Sequence, residues 1–248
     1  MKIALLSDIH ANLQALQACL QHARLQGATQ LAFLGDLVGY GGQPAAVLDA
    51  IMQLANEGAW VIRGNHDSLA VLPPAAATTM DEVSAQWTHQ HLSTGQRLYL
   101  QQLPLTWRDG NLLLVHASAD APQSWHYVDQ PQRAALSLAA AGTDVRYVLG
   151  GHVHQQTLFY RGTGRHLIDF KPTPDKGVPV SARRQWLATV GSVGQPRDGR
   201  TEAMYTLFDR ARQVMTFCRV PYDYLAAAAA IRATALPEGF AQRLERGQ

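Results

Sequence analysis

The stretch KIALLSDIHANLQALQACLQHARLQGATQLAFLGD, Lys2 to Asp36, decides the fold. Lys2–Leu6 is a short, unbroken apolar run, the pattern of a strand buried on both faces. From Asn12 to Leu25 the period changes. Leu13, Leu16, Leu20 and Ala23 fall at helical spacing, with Asn12 as N-cap and Gly27 as the stop. Leu31–Leu34 is a second strand, ending on Gly35 and Asp36. Beyond it, Pro44 opens another helix, as proline does at a first helical position. Val47, Leu48, Ile51 and Ala55 give that helix an apolar face, and Gly58 closes it. Ala59–Ile62 is a third strand, running into Gly64-Asn65-His66-Asp67. Strand and helix alternate, the signature of α/β layering.

Further along, Thr78 to Gln102 reads as helices. Leu112–Val115 and Arg146–Leu149 read as strands around an Ala-rich helix at Gln132–Ala141. After His154 the texture shifts to strands and turns: Thr157–Tyr160, His166–Ile168, Trp186–Val190, Met204–Phe208 and Val214–Val220. Lys171–Pro179, rich in Pro and Gly, reads as a surface loop. The predicted class is α/β (an α+β sandwich), with two facing mixed β-sheets flanked by helices. One domain spans residues 1–248, with a C-terminal helical extension over 222–248.

Composition removes several function classes. Hydrophobic residues make up 47% of the chain and charged residues 16%, which supports a sizeable core and argues against disorder. A formal net charge of +2 leaves no electrostatic footprint for a nucleic-acid-coating surface. Asp8 and His10 interrupt the first apolar run too early for a signal peptide. No run approaches the length of about 20 apolar residues that spans a bilayer. Cys19 and Cys218 sit in apolar-patterned segments, so a reducing cytoplasm is the predicted location. Oligomeric state is not set by any of this.

The chemistry lies in five short motifs, each just after a predicted strand: Ser7–His10, Gly35-Asp36, Gly64–Asp67, Leu112–His116 and Gly151–His154. Alone, each has a bland reading. Asp-x-His is usually a polar strand end, and Gly-Asn-His-Asp is a plain turn. Together they gather three Asp, one Asn and five of the ten histidines at the carboxyl ends of strands, where α/β sheets bind ligands. That is the kit for a two-metal hydrolytic centre. Two divalent ions about 3.5–4 Å apart clamp both oxygens of an in-line displacement at phosphorus. Asp36 is the natural bridging carboxylate. Asp8 and His10, two apart on an extended segment, face one side, and His152 and His154 repeat that spacing. Asn65 offers an amide oxygen, and His116 ends its own strand. Mixed His and carboxylate ligation suits manganese, iron, zinc, nickel or cobalt better than magnesium or calcium. His22, His89, His91 and His166 lack such a setting. His126, near Ser118 and Trp125, is a candidate pocket residue.

The order D-x-H, GD, GNHD, strand-end His, GH-x-H resembles the calcineurin-like metallophosphoesterase superfamily, from Met1 to about Val220. Gly191–Gly199 (GSVGQPRDG), Trp87–Leu92 (WTHQHL) and Arg219–Asp223 (RVPYD) resemble one prokaryotic branch, whose members are described as phosphodiesterases or phosphatases. The resemblance implies one metal held by Asp8, His10 and His154, a second by Asn65, His116 and His152, and Asp36 bridging them. It implies that His66 reaches the substrate as general acid or stabilises the charge on the phosphorane-like transition state. The hydroxide between the metals would attack. Asp67 would only shape the turn.

One departure narrows the expectation. Phosphoprotein phosphatases and symmetrical dinucleoside tetraphosphate hydrolases carry GD-x-x-DRG, whose Arg grips phosphate and whose Asp orients the catalytic His. Here Gly39 and Tyr40 stand in those places. A diester has no dianionic phosphate for an Arg pair to neutralise. The expected activity is therefore a phosphodiesterase acting on a small nucleotide-like substrate. The alternatives are a phosphomonoesterase or a dinucleoside polyphosphate hydrolase, and then a non-catalytic scaffold, which an intact ligand set disfavours. Arg63, Ser192, Arg197 and His126 are the candidate substrate contacts.

Overall fold

The computed structural model describes residues 1–162 and 167–248. His166, and with it the start of one expected strand, lies outside the described residues. The first half runs β1 (Lys2–Leu6), α1 (Leu13–Leu25), β2 (Gln30–Leu34), α2 (Pro44–Asn56), β3 (Trp60–Ile62), α3 (Asn65–Val71), α4 (Met80–Gln90), α5 (Thr94–Gln102), β4 (Thr106–Asp109) and β5 (Leu112–Val115). The second half runs α6 (Pro131–Ala141), β6 (Tyr147–Gly150), β7 (Gln156–Arg161), β8 (Leu167–Phe170), β9 (Gly177–Pro179), β10 (Trp186–Val190), β11 (Ala203–Asp209), β12 (Val214–Val220), α7 (Tyr224–Arg232) and α8 (Glu238–Arg246).

The strands form two mixed sheets, in the orders β3-β2-β1-β11-β12-β9 and β4-β5-β6-β10-β7-β8. In each, three adjacent strands are parallel: β1, β2 and β3 in the first, β5, β6 and β10 in the second. Their carboxyl ends carry all five motifs.

Period-2 alternation explains how β1 is buried on both faces. Ile3 and Leu5 join Ala32, Leu34, Leu112, Leu114, Leu149 and Ala188 in the core between the sheets. Ala4 and Leu6 point the other way, onto Leu16, Cys19 and Leu20 of α1 and Leu48 and Ile51 of α2. α6 covers the outer face of the second sheet through Ala134 and Leu138 against Val148, Phe159 and Leu187. At the N-terminus of α1, the Asn12 side chain accepts from the Ala15 N–H at 3.0 Å.

Three elements depart from the sequence pattern. Gly64-Asn65-His66-Asp67 opens a short helix, α3, rather than a simple turn. β4 pairs with β5 across a two-residue turn, Gly110-Asn111. Gly177–Pro179, expected in a loop, is the edge strand β9, where proline is tolerated because one side needs no ladder bond. The C-terminal helices lie on the body: Ala227, Ala228, Ile231, Phe240, Ala241 and Leu244 cluster with Tyr40. Among the described residues, no helix is long and apolar enough to cross a membrane.

Candidate metal centre

The parallel strand ends bring the candidate ligands together. Asp8, His10 and His154 form one group whose ligand atoms lie within 4.8 Å of one another, and Asp36, His116 and His152 form a second. His116 Nε2 is 3.3 Å from Asp36 Oδ2, and His10 Nε2 is 3.9 Å from the same oxygen, so Asp36 faces both groups. Asn65 Oδ1 is 3.1 Å from His116 Nε2, beside the second group. All of these side chains except Asn65 are buried.

Local backbone geometry makes this convergence possible. Asp8, His10, Asp36, His152 and His154 all have positive φ, between 48° and 66°. Such conformations cost non-glycine residues about 1–3 kcal/mol each and collect at functional sites. Backbone bonds hold them there. Asp8, His10 and Ala11 donate N–H to the carbonyls of Gly35, Asp36 and Leu37, each at 3.0 Å, zipping the first two motifs together. Asp67 fastens the third motif to them. Its carboxylate accepts from Leu37 at 2.8 Å, Val38 at 3.2 Å and Gly64 at 2.8 Å. Gly64 packs so closely on Asp36 that any Cβ would collide with the carboxylate.

Each tethered imidazole has its tautomer set by a carbonyl. Nδ1–H of His10 donates to Val38 at 3.3 Å, that of His116 to Leu34 at 2.7 Å, and that of His154 to Gln195 at 2.6 Å. Such bonds orient ligating histidines and leave Nε2 for a metal. The consequence is sharpest at His10 and His154. Their Nε2 atoms are 3.1 Å apart, with both Nδ1 protons already committed. Two lone pairs then face each other, an arrangement a cation relieves. The residues present thus fit a divalent transition metal.

Electrostatics agrees. Burial holds His10 and His154 well below the ordinary histidine value, and lowers His152 to about 4. These rings are neutral and ready to ligate at neutral pH. Burial opposes charge on His116, but Asp36, with help from Asp8 and the Leu34 carbonyl, overcomes it and raises that ring to about 9. Burial alone would raise Asp36; His116 and His66 overcome it and hold the carboxyl well below its usual range. Burial lifts Asp8 to about 7, with His116 opposing.

His66 follows Asn65 and is nearly buried. Its backbone N–H donates to Asp36 Oδ1 at 2.8 Å, while its ring lies against Tyr40, centroids 4.4 Å apart. Burial lowers its pKa, with Asp36 and Asp81 opposing.

The four candidate substrate contacts divide. Arg197 lies at the centre: its charge acts on His10, His66 and His154, and its guanidinium sits 6.0 Å over the Tyr40 ring while donating to Gln195 Oε1. His126 sits on the rim, its Nδ1 3.7 Å from Asp120 Oδ2. The other two are engaged by the protein itself. Ser192 is fully buried; its hydroxyl donates to the Asp8 carbonyl at 2.9 Å and accepts from Gln195 N–H at 2.8 Å, stapling the β10–β11 loop to the first motif. Arg63 turns onto the last turn of α5, donating to the Gln101 carbonyl at 3.0 Å.

Two aromatics were not among the candidate site residues. Tyr127 stacks on His152, centroids 4.1 Å apart at 19°, and Trp125 meets His116 edge-on at 5.8 Å. Both come from the loop after β5. An aromatic pair close behind a strand-end histidine is the only hint the sequence held.

Paired His and Asp groups at converging strand ends define a class of metal-dependent hydrolytic sites. Comparison with known proteins makes this specific. The chain belongs to the calcineurin-like phosphoesterase superfamily, whose domain profile matches residues 1–212. It is 31% identical to a metallophosphoesterase from Sphaerobacter thermophilus of known structure, with a TM-score of 0.90 over 100% of this chain and 99% of that one. It is also 29% identical, over 99% of its own length and 98% of the other, to an uncharacterized protein of Methanocaldococcus jannaschii. A hypothetical protein from Pyrococcus horikoshii, 22% identical, shares the fold with a TM-score of 0.77 over 100% and 98% of the two chains. Family membership implies divalent metal ions, and the two His/Asp groups are able to bind them.

Proposed function

We propose that this chain is a dinuclear metal-dependent phosphodiesterase acting on a small nucleotide-like phosphodiester. The observation that carries the proposal is the pairing of two buried His/Asp groups across Asp36, with three of their four imidazoles oriented through Nδ1. In this reading Asp8, His10 and His154 hold one ion, Asn65, His116 and His152 the other, and Asp36 contacts both. When bound, such ions polarise phosphoryl oxygens and lower the pKa of bound water. Manganese is the first choice of metal, with iron, zinc, nickel and cobalt as alternatives.

His66 is the proposed proton donor to the leaving oxygen. Burial keeps its ring neutral in the free protein, and an anionic phosphoester beside it favours the charged form. The substrate thus arms its own acid. Arg197 is the proposed contact to a non-bridging phosphate oxygen. Its charge beside His10, His66 and His154 also suits a dianionic monoester, which makes a phosphomonoesterase the second reading. The reading takes residues 1–248 as one domain. It places the protein in the cytoplasm, in keeping with two free, buried cysteines, Cys19 and Cys218.

The test is a panel run on manganese-loaded protein: bis-p-nitrophenyl phosphate, dinucleoside monophosphates, nucleoside monophosphates and dinucleoside tetraphosphates. Diesters should show the highest kcat/KM. Preference for monoesters or for tetraphosphate bridges would overturn the diester assignment, and no turnover on any of them would overturn the enzyme assignment.

A further inference from the structure

His66 occupies an unusual setting for a proton donor. Among the described residues its ring nitrogens have no hydrogen-bond partner, and only its backbone N–H is engaged, with Asp36. The charges of Asp36, Asp81 and Arg197 reach the ring and His10 meets it edge-on at 5.2 Å, but its packing walls are apolar. A Cβ built on Gly39 would lie 3.1 Å from both Cβ and Nδ1 of His66, so Gly39 forms one wall. The Tyr40 ring forms another, tilted 59° against the imidazole with centroids 4.4 Å apart.

Tyr40 is itself held from two sides. Its N–H donates to Ser84 Oγ at 2.7 Å, and its backbone adopts φ +63°. On the far side its ring packs on Phe240 of α8, centroids 5.0 Å apart at 34°. Phe240 is fully buried among Ala227, Ala228, Ile231 and Leu244. α8 is fastened to α7 by Arg232, which pairs with both Glu238 and Glu245. A continuous line of packing thus runs from the C-terminal helices through Phe240 and Tyr40 to His66. These helices lie beyond residues 1–212, the part matched by the superfamily profile.

We infer that Tyr40, braced by Phe240, is the positioning residue for His66, and that the C-terminal helical pair is a working part of the site. The inference rests on the proposed role of His66 but concerns how its ring is held. A ring held by packing alone keeps both nitrogens uncommitted, one to carry a proton and one to exchange it. A hydrogen-bonded carboxylate would have engaged one of them. The same arrangement makes the ring's placement depend on aromatic bulk rather than on a polar partner. Tyr40 also touches His10 at 4.5 Å, so Phe240, which is one layer further out, is the cleaner site to perturb.

The experiment uses the full chain with Phe240→Leu, Tyr40→Leu and Tyr40→Phe. Manganese-loaded proteins are assayed on two diesters, bis-p-nitrophenyl phosphate and a dinucleoside monophosphate. The first has a good leaving group that needs little protonation; the second expels an alkoxide that needs a proton. Phe240→Leu should retain two metals per chain and near-unchanged KM. Its kcat should fall roughly tenfold to a hundredfold on the dinucleoside monophosphate and little on the nitrophenyl ester, the size expected for a misplaced catalytic group. Tyr40→Leu should behave likewise, and Tyr40→Phe should restore the profile. Equal losses on both esters, lost metal, or no loss on either would overturn the inference.

A second readout needs no turnover. In ¹⁵N-histidine NMR spectra of the metal-free protein, the His66 signal is the one missing from His66→Ala. Phe240→Leu should shift or broaden that signal and leave those of His116 and His154 in place. An unmoved His66 signal would overturn the inference even if the phosphodiesterase reading had failed separately in the substrate panel.

Discussion

Two kinds of histidine stand side by side in this centre. His10, His116 and His154 are tethered, each Nδ1–H bound to a main-chain carbonyl at 3.3, 2.7 and 2.6 Å. His66 has no tether and is held between Gly39 and the Tyr40 ring. The difference fits the roles proposed for them. A ligand needs one fixed tautomer and one lone pair with a set direction, and a carbonyl on Nδ1 supplies both. A proton donor must exist in two protonation states, so fixing its tautomer works against it. With those roles, the centre would use backbone polarity where it needs permanence and aromatic packing where it needs change.

The strongest way to break the comparison is to remove the residue on which both metal groups depend. Asp36→Asn keeps the shape but loses the anion facing His10 and His116. Metal content by elemental analysis should fall below one ion per chain, with turnover at background. Two ions per chain would show that Asp36 is dispensable as a bridge. His66→Ala should do the reverse, keeping both ions while turnover on a poor leaving group drops by about 10²–10⁴-fold, the typical worth of general acid catalysis. Near-wild-type rates there would place His66 outside the chemistry and dissolve the contrast between the two histidine types.

The tethered half of the site was largely legible in the sequence, and the packed half was not. Each ligand motif follows its own short apolar strand, so spacing and residue type announce it locally. The alternating burial of β1 and β2 likewise follows from apolar runs. The staple at Ser192, the brace at Phe240 and the stack of Tyr127 on His152 depend on residues far apart in the chain. No local pattern encodes them. Gly39 and Tyr40 registered only as a loss, because the packing of Tyr40 on His66 is backed by Phe240 of α8, some two hundred positions later. β4 escaped for another reason. Thr106–Asp109 is short and mostly polar, and the Gly110-Asn111 hairpin turn was its only signal.

A smaller effect sharpens the contrast between scaffold and chemistry. Ser192→Ala removes a buried hydroxyl that bonds both the Asp8 carbonyl and the Gln195 N–H. Urea unfolding should show a loss of about 1–3 kcal/mol, the cost of leaving buried partners unpaired. KM for a diester should change little, since the hydroxyl is spent on two backbone groups. A rise in KM with unaltered stability would return Ser192 to the substrate.

The smallest effect concerns protons and tests the tethered side alone. In the metal-free protein Asp36 raises His116 to about 9. Its ring therefore carries a proton on Nε2 at pH 7.5, since Nδ1–H is already committed to Leu34. A metal binding at Nε2 must expel that proton. His10, His152 and His154, all lowered by burial, have none to lose at this pH. Manganese titrated at pH 7.5 by calorimetry, in buffers of different ionisation enthalpy, should release about one proton from His116. Apparent affinity should climb with pH through the window from 7 to 9 and level off above it. Below pH 7 the release should grow, because Asp8, raised to about 7, also begins to hold a proton. Affinity independent of pH between 7 and 9 would mean that His116 is already neutral, and that the Asp36–His116 ion pair does not form in the metal-free protein.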